Sequence, residues 1–523
     1  FFTRPEAERQ ELVRALEARL GLSAGHIGER LLAADVEVSD RIVLVEDLDL
    51  EDALRLKKEA FPGVLIEEGF RRHYLKGASA AHLLGYTGLA TKEDIARDPT
   101  LHANDIVGKT GLEAEYDQLL RGEDGTVVAL RTAKGEVLEE QEGRKARAGA
   151  SLRLTVDAEF QEYFARRFAQ GLASLGRTSG TGLAINPQNG EILALLSWPS
   201  FDSNIFVETK RSEERRAVLG AKTKPLFNRA VSGLYNPAST IKPLHAVAAL
   251  SQNVVMPTTS VFSGGYIELP NPYDPSRPSR FVDWKPHGWV DVHSALARSS
   301  NVYFYTVGGG YGEIKGLGIA RLREWWQKFL FGTATGVDLP GEAAGFLPDP
   351  EEKERRTGQI WRIGDTYNVS IGQGDILVTP LQLLDYIALI ANGGKLYRPH
   401  LAMNEKGREE VADLSEYAGA MREVQQGMID AVQKPYGTAN LLAVLPFTVA
   451  AKTGSAQTEN NAKINAIFVG YAPVGGDAVP EIAVLVLVED AKEGSLNAVP
   501  IAKDVLAWYY ENRIKGLARE SAP

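Results

Sequence analysis

The stretch Tyr235-Asn236-Pro237-Ala238-Ser239-Thr240-Ile241-Lys242-Pro243 decides how this chain is read. A serine is followed three residues later by a lysine, just after a proline and ahead of the apolar run Ala246 to Leu250. Proline near a helix start and a small polar residue in the first turn are helix-entry chemistry. Positions i and i+3 share a helix face, so Ser239 and Lys242 can touch. A hydroxyl is a poor nucleophile until a base takes its proton, and a neutral amine beside it can be that base. The helix N-terminus adds unpaired backbone N–H groups where negative charge develops. Taken alone, the same pattern also describes a helix cap followed by a surface lysine. The rest of the chain decides between them.

Composition narrows the field. The 523 residues are 44% hydrophobic and 24% charged, an ordinary globular balance with material for roughly two to four domains. Lys+Arg 58 against Asp+Glu 68 gives a net charge of -10, which argues against a protein that mainly binds nucleic acid. Cysteine is absent, which excludes disulfides and thiolate chemistry and is compatible with an oxidising compartment. No stretch approaches the ~20 apolar residues of a membrane span, and no cleavable signal is visible. The chain opens with Phe1-Phe2-Thr3-Arg4-Pro5, so the natural N-terminus is expected to lie upstream.

Residues 6–20 read as an amphipathic helix, with Leu12, Leu16 and Leu20 on one stripe and Gly21 as its stop. A strand is expected at Ile42 to Val45, and helices at Glu51 to Glu59 and Leu112 to Leu120. Val127 to Leu130 and Glu136 to Glu139 form an expected hairpin around Ala133-Lys134-Gly135. His73 and His82 read as structural or surface residues, since no carboxylate stands at metal spacing beside them. The polar run Glu140 to Ala150 marks the domain boundary, giving regions 1–150 and 151–523.

In the second region a strand at Leu152 to Val156 and a helix near Glu159 to Leu175 come first. Thr181 to Ile185 and Glu191 to Ser197 flank Asn189-Gly190, a strong hairpin signal. Helical material from Ser239 past Leu384 interrupts the strands, and Thr379-Pro380 opens a buried helix ending at Asn392-Gly393-Gly394. Strands at Phe447 to Ala451, Ile464 to Tyr471 and Ile482 to Val488 precede a terminal helix from about Ile501 to Tyr510. This order predicts an α+β layout, an antiparallel sheet sandwiched by helices.

Three short motifs stand in the second region, in order: Ser239-Thr240-Ile241-Lys242, Ser299-Ser300-Asn301 and Lys452-Thr453-Gly454. Each has a bland reading, the second as a helix cap before Val302 and the third as a strand-end turn. A second triplet, Lys109-Thr110-Gly111, lies in the first region ahead of the serine and is set aside. Asp274, Asp283, His287, Asp291 and His293 cluster in a loop-like stretch that reads as solvated rather than metal-binding, because the spacing fits no zinc pattern.

The ordered trio resembles penicillin-binding proteins and serine β-lactamases. In the first region Arg71-Arg72, Gly85-Tyr86-Thr87-Gly88 and Gly108-Lys109-Thr110-Gly111-Leu112-Glu113 resemble class B penicillin-binding proteins. The resemblance makes that region a mixed α/β, non-catalytic, dimerisation-type pedestal before a transpeptidase domain. Leu154-Thr155-Val156-Asp157, Asn228-Arg229-Ala230, Ser370-Ile371-Gly372-Gln373-Gly374 and Gly470-Tyr471-Ala472-Pro473 are similar to family signatures. Asp283-Trp284-Lys285 with His287-Gly288 resembles the elongation-type, penicillin-binding protein 2, branch. Departures are Ala238 where relatives usually carry glycine, Ala451 before the lysine where glycine is usual, and Ser455 where threonine is commoner. Asn465 and Ile467 also stand where His and Trp are often seen.

Chemistry and resemblance together imply the roles. Ser239 attacks a D-Ala-D-Ala peptide carbonyl, and Lys242 is the general base, its pKa lowered by burial and by Lys452. Ser299 relays a proton to the leaving amine, and Asn301 holds Lys242 and the substrate amide. Lys452 and Thr453, with Gly454 and Ser455 beside them, bind the substrate carboxylate. The N–H groups of Ser239 and Ser455 form the oxyanion hole. No cofactor or metal is implied. The activity implied is peptidoglycan cross-linking during cell elongation, with β-lactams as acylating inhibitors. Alternatives are a D,D-carboxypeptidase, a β-lactamase, or a non-catalytic scaffold or β-lactam sensor. The implied partners are stem peptides, a SEDS-type membrane glycosyltransferase and elongation scaffold proteins. The implied location is the outer face of the cell (inner) membrane, with a single N-terminal anchor outside this chain.

Overall fold

The computed structural model describes residues 5–515, apart from 23, 34–41, 46, 47, 49, 62, 67–70, 103, 104, 133–136, 271–273, 275, 404–407, 459–462 and 477. The chain divides into two compact units, one of residues 1–151 with 201–220 and one of residues 152–200 with 221–523. The first crossing between the units lies between Ser151 and Leu152. The return of Phe201–Gly220 to the first unit left no composition signal in the sequence. Among the described residues no helix is long and apolar enough to cross a membrane.

The first unit opens with the expected helix Glu6–Leu20, stopped where Gly21 takes φ 62. Its Leu16 packs with Ile27 and Leu56 from the helices His26–Ala33 and Leu50–Glu59. Residues 42–45 form no strand, and the expected helix at 112–120 is two short ones, Gly111–Glu115 and Asp117–Arg121. Strands Val127–Arg131 and Val137–Glu142 pair as expected, while the turn 133–135 lies outside the described residues. Strands Tyr86–Leu89 and Ile106–Thr110 pair antiparallel, and a Cβ on Gly85 would sit 1.8 Å from the Thr110 carbonyl oxygen. Only glycine permits that approach. Arg72 pairs with Glu113 at 2.9 Å, and Lys109 of the set-aside triplet pairs with Asp94. These first-region signatures build the unit. His73 is exposed, and His82 is buried edge-on to Phe201, 5.2 Å between ring centroids.

The second unit is built on five strands: β1 (Gly180–Ile185), β2 (Ile192–Trp198), β3 (Ala450–Thr458), β4 (Lys463–Ala472) and β5 (Ile482–Ala491). Their spatial order is β3-β4-β5-β1-β2, with every neighbouring pair antiparallel. Its helices include α1 (Ala158–Ser174), α2 (Lys242–Ser251), α3 (Val292–Arg298), α4 (Asn301–Gly309), α5 (Pro380–Ala391), α6 (Ala418–Gln433) and α7 (Val499–Tyr509). Phe160, Phe164, Phe168 and Leu172 repeat at helical spacing on α1 and, with α7, cover one sheet face over Ala184, Phe468, Val484 and Val486. Helix α5, buried along its whole length, packs against β1, β4 and β5. A sheet covered on both faces explains why β5 reads as a continuous apolar run without alternation.

Two expectations shift. Residues 152–156 make only an isolated bridge, Leu154 with Ala402, in place of a strand. Strand β3 runs Ala450–Thr458, where the sequence suggested 447–451. The hydrophobic pattern stops at Ala451, yet Lys452 and Thr453 are buried inside the strand, so a polarity pattern misplaces its end.

Candidate active site

Ser239 lies on a 3₁₀ turn, Ala238–Ile241, that runs directly into α2. The α-helix proper begins at Lys242, three residues later than the serine. In a 3₁₀ turn positions i and i+3 eclipse, so the turn still sets Ser239 above Lys242. Ala238 has φ 48, in the left-handed region. An L residue there costs about 1 kcal/mol, a cost that the glycine expected from the resemblance would avoid. Its N–H donates to the Gly372 carbonyl at 2.8 Å, and a Cβ on Gly372 would stand 2.2 Å from the Ala238 oxygen. The Ser370–Gly374 signature is therefore a close backbone clamp on the serine turn. Tyr386 of α5 also donates to the Thr240 carbonyl from behind.

Below the turn lies a buried cluster of polar groups. Lys242 is fully buried and donates to the Ser299 carbonyl (2.9 Å), the Ser299 hydroxyl (3.4 Å) and Asn301 Oδ1 (2.8 Å). Lys452, also fully buried, donates to the same Ser299 hydroxyl at 2.8 Å and to the Thr453 carbonyl at 2.8 Å. Burial pushes Lys242 down to about 7, partly opposed by the charge of Asp283. Lys452 is held well below the usual lysine range by burial and then by the charge of Lys242. The like-charge effect expected on Lys242 thus falls on Lys452. One ammonium is supported in this cavity, and a second would be repelled.

Ser299, Ser300 and Asn301 join α3 to α4. Ser299 takes φ 57 as the C-terminal cap of α3, and Ser300 caps α4 by accepting from the Tyr303 N–H. The cap reading is realised, and beside the Ser300 cap Ser299 and Asn301 contact the lysines.

Strand β3 is the edge of the sheet and packs its Lys452-Thr453-Gly454 segment on the serine turn. A Cβ on Gly454 would meet Thr240 Cγ2 at 2.9 Å and Ala238 Cβ at 3.4 Å. Thr453 donates to the Thr438 hydroxyl at 2.8 Å. The Ser455 carbonyl accepts from Gln373 Nε2 at 3.1 Å, and its hydroxyl accepts from the Gly494 N–H at 3.2 Å. All eight residues singled out in the sequence lie on the serine turn, the first residue of α2, the α3–α4 junction or β3.

Sequence reasoning missed four contributors. Asp283 and His287 are not in a solvated loop: both side chains are fully buried, and their nearest charged atoms are 3.6 Å apart. Asp291 instead caps α3, and His293 meets Glu423 at 2.8 Å. His245, one turn along α2 from Lys242, accepts from Trp326 Nε1 at 2.8 Å and faces the Ser370 carbonyl through Nδ1 at 2.9 Å. That geometry requires the Nδ1–H tautomer, and burial holds the ring neutral by pushing its pKa down to about 4. Gln373 ties the clamp to β3. No local pattern marks the partners of Asp283 or His245; only the quoted Asp283-Trp284-Lys285 and Ser370–Gly374 signatures pointed near them.

A serine on a helix-entry turn over a lysine amine, with an edge strand alongside, suits nucleophilic acyl transfer by a Ser–Lys pair. Residues 180–507 match the family model "Penicillin binding protein transpeptidase domain", and residues 3–154 match "Penicillin-binding Protein dimerisation domain". The chain belongs to the penicillin-binding protein transpeptidase family. It is 34% identical over 496 residues to the peptidoglycan D,D-transpeptidase MrdA of Haemophilus influenzae, covering 88% of this chain and 73% of that protein. Against the MrdA of Escherichia coli the figures are 33%, 83% and 70%. Among solved structures it is similar to the complex between penicillin-binding protein 2 and MreC from Helicobacter pylori, with TM-score 0.83, 28% identity, and 98% and 93% of the two chains covered. It is also similar to Pseudomonas aeruginosa penicillin-binding protein 2 in complex with WCK 5153, with TM-score 0.67, 32% identity, and 86% and 93% covered. A third, from a peptidoglycan synthase complex that coordinates polymerization and crosslinking, has TM-score 0.74, 28% identity, and 94% and 86% covered.

Proposed function

We propose that this protein is an elongation-type peptidoglycan D,D-transpeptidase that works through a Ser239 acyl-enzyme. The observation that carries the residue roles is the Ser299 hydroxyl shared between two buried lysines, 3.4 Å from Lys242 and 2.8 Å from Lys452. Lys242 in its neutral form takes the Ser239 proton as Oγ attacks the carbonyl of a D-Ala-D-Ala terminus. The developing oxyanion lies against the N–H groups of Ser239 and Ser455, each donor of this kind supplying about 3 kcal/mol. The C–N bond breaks, and the proton passes from Lys242 through Ser299 to the departing D-Ala amine. An amine of a second stem peptide then attacks the ester, forms the cross-link and returns a proton to Ser239 Oγ.

The edge position of β3 suits the donor peptide, which can lie alongside it as an added strand. Its terminal carboxylate would meet Lys452 and Thr453 and, by its charge, favour the ammonium form of Lys452. In this reading residues 1–150 are the non-catalytic pedestal and residues 151–523 the transpeptidase domain. The catalytic unit works at the outer face of the cell membrane, with an elongation scaffold protein and a SEDS-type glycosyltransferase as partners. The likeness to a solved complex with MreC and to a peptidoglycan synthase complex supports that assignment.

Intact-mass spectrometry with penicillin tests the reading. The wild type should gain one long-lived adduct and Ser239→Ala none. An adduct on Ser239→Ala, or none on the wild type, overturns it; rapid loss with hydrolysed drug points to a β-lactamase.

A further inference from the structure

The carboxylate of Asp283 is where the geometry of the cluster converges. Its Oδ2 accepts from Ser263 Oγ (3.1 Å), Ser300 Oγ (2.8 Å) and the Val302 N–H (3.0 Å). Its Oδ1 accepts from the Asn301 N–H (2.9 Å) and the Trp284 N–H (3.0 Å). Three of these five donors belong to the Ser300–Val302 segment, so one buried anion closes the N-terminus of α4 and grips the Ser299–Asn301 junction. That junction needs a grip, because Ser299 is held at φ 57.

The charges facing it define a second task. Lys242 acts on Asp283 from α2, with Lys452 of β3 beyond the Ser299 hydroxyl; His287 lies 3.6 Å away on its own loop. Tyr305 of α4 turns its hydroxyl to the Val282 carbonyl. Arg298 of α3 is turned onto the Tyr436 ring, 3.9 Å from its centroid, and Lys285 onto Trp284 at 4.3 Å. Asp283 is therefore the anion whose charge acts on Lys242. Burial disfavours its charge, but His287, Lys242 and the amide donors outweigh that and hold it well below the usual carboxylate range. Its charge favours the proton on Lys242, which burial opposes.

Resting on the transpeptidase reading above, we propose that Asp283 is a positioning residue for acylation: it locks the Ser299–Asn301 junction against Lys242 and favours the proton on that lysine. The acid limb of the acylation rate reports the free enzyme's base. Removing a nearby anion destabilises an ammonium, so Asp283→Asn moves that limb to lower pH, by roughly one unit or more. It also puts an amide N–H against backbone donors that cannot accept, which loosens the junction.

The test is the second-order rate of acylation by a fluorescent penicillin from pH 5 to 9, with circular dichroism as the check on folding. Asp283→Asn should lose about tenfold or more at pH 8 with its acid limb shifted downward, and Asp283→Glu should recover the limb. Ser263→Ala with Ser300→Ala strips two donors and keeps the charge, so it should lower the rate with the limb unmoved. A folded Asp283→Asn with wild-type rate and limb overturns the proposal. Should that variant not fold, a wild-type rate in the double variant overturns it. Failure of the transpeptidase reading appears separately, as absent acylation of the wild type or persistent acylation of Ser239→Ala.

Discussion

Ser299 and Lys452, 153 positions apart in the chain, meet at 2.8 Å, hydroxyl oxygen to lysine nitrogen, with the lysine fully buried. An ammonium there has little to neutralise it until a carboxylate arrives. Replacing Lys452 with Met should therefore leave the fold as stable or more so, since a desolvated amine is exchanged for apolar volume. It should slow acylation by about 10- to 100-fold, the worth of one charge-assisted contact. Thermal melts paired with acylation rates check this, and a melt well below wild type with unchanged acylation would refute it.

The proton on Lys242 gives two pH dependences of opposite use. Acylation should rise with pH around a midpoint of about 7, because the base acts only when deprotonated. For stability, the folded value of about 7 lies below the ordinary 10.5, so between them the unfolded chain binds a proton the folded chain has released. Stability from this group therefore rises with pH across that window and is lowest at its acid end. Melting temperatures of the wild type and Lys242→Met, compared from pH 6 to 10, should diverge in favour of the wild type as pH rises. A constant difference would argue against a depressed Lys242.

His245 works in the same direction at lower pH. Its folded value of about 4 lies below the ordinary 6.5, so the fold loses stability as pH falls from 6.5 toward 4. The loss attributable to this ring is on the order of 3 kcal/mol. Denaturation midpoints of His245→Gln should fall less steeply than those of the wild type over that interval.

Gly454 is where the sheet touches the nucleophile. The methyl of Gly454→Ala would stand 2.9 Å from Thr240 Cγ2 and 3.3 Å from its backbone nitrogen, and Thr240 is fully buried. With no room to yield, overpacking of about 1–3 kcal/mol should lower the melting temperature and displace the serine turn. Acylation should fall by more than the loss of folded protein explains. Equal losses in both would show that the turn tolerates the methyl.

The helices were legible wherever their signals were local. Residues 6–20 with Gly21, and the helix expected near 159–175 and found at 158–174, follow from local signals. So does the hairpin of β1 and β2 at Asn189-Gly190. The site was legible as three motifs in order, because each is a short run whose type of chemistry is readable from composition. The extent of β3 was not, since polarity cannot tell a buried lysine in a strand from a turn.

The sequence by itself therefore determined most of the elements, the α+β class and the identity of the eight residues at the serine turn, the start of α2, the α3–α4 junction and β3. Only the tertiary structure decided that Lys242 and Lys452 share one hydroxyl, that residues 201–220 return to the first unit, and that Asp283 is buried rather than solvated. The reason is physical: capping, turn and periodicity energies act within a few residues of one another. The pKa of a lysine and the partner of a carboxylate depend on desolvation and on charges that the fold brings from far along the chain.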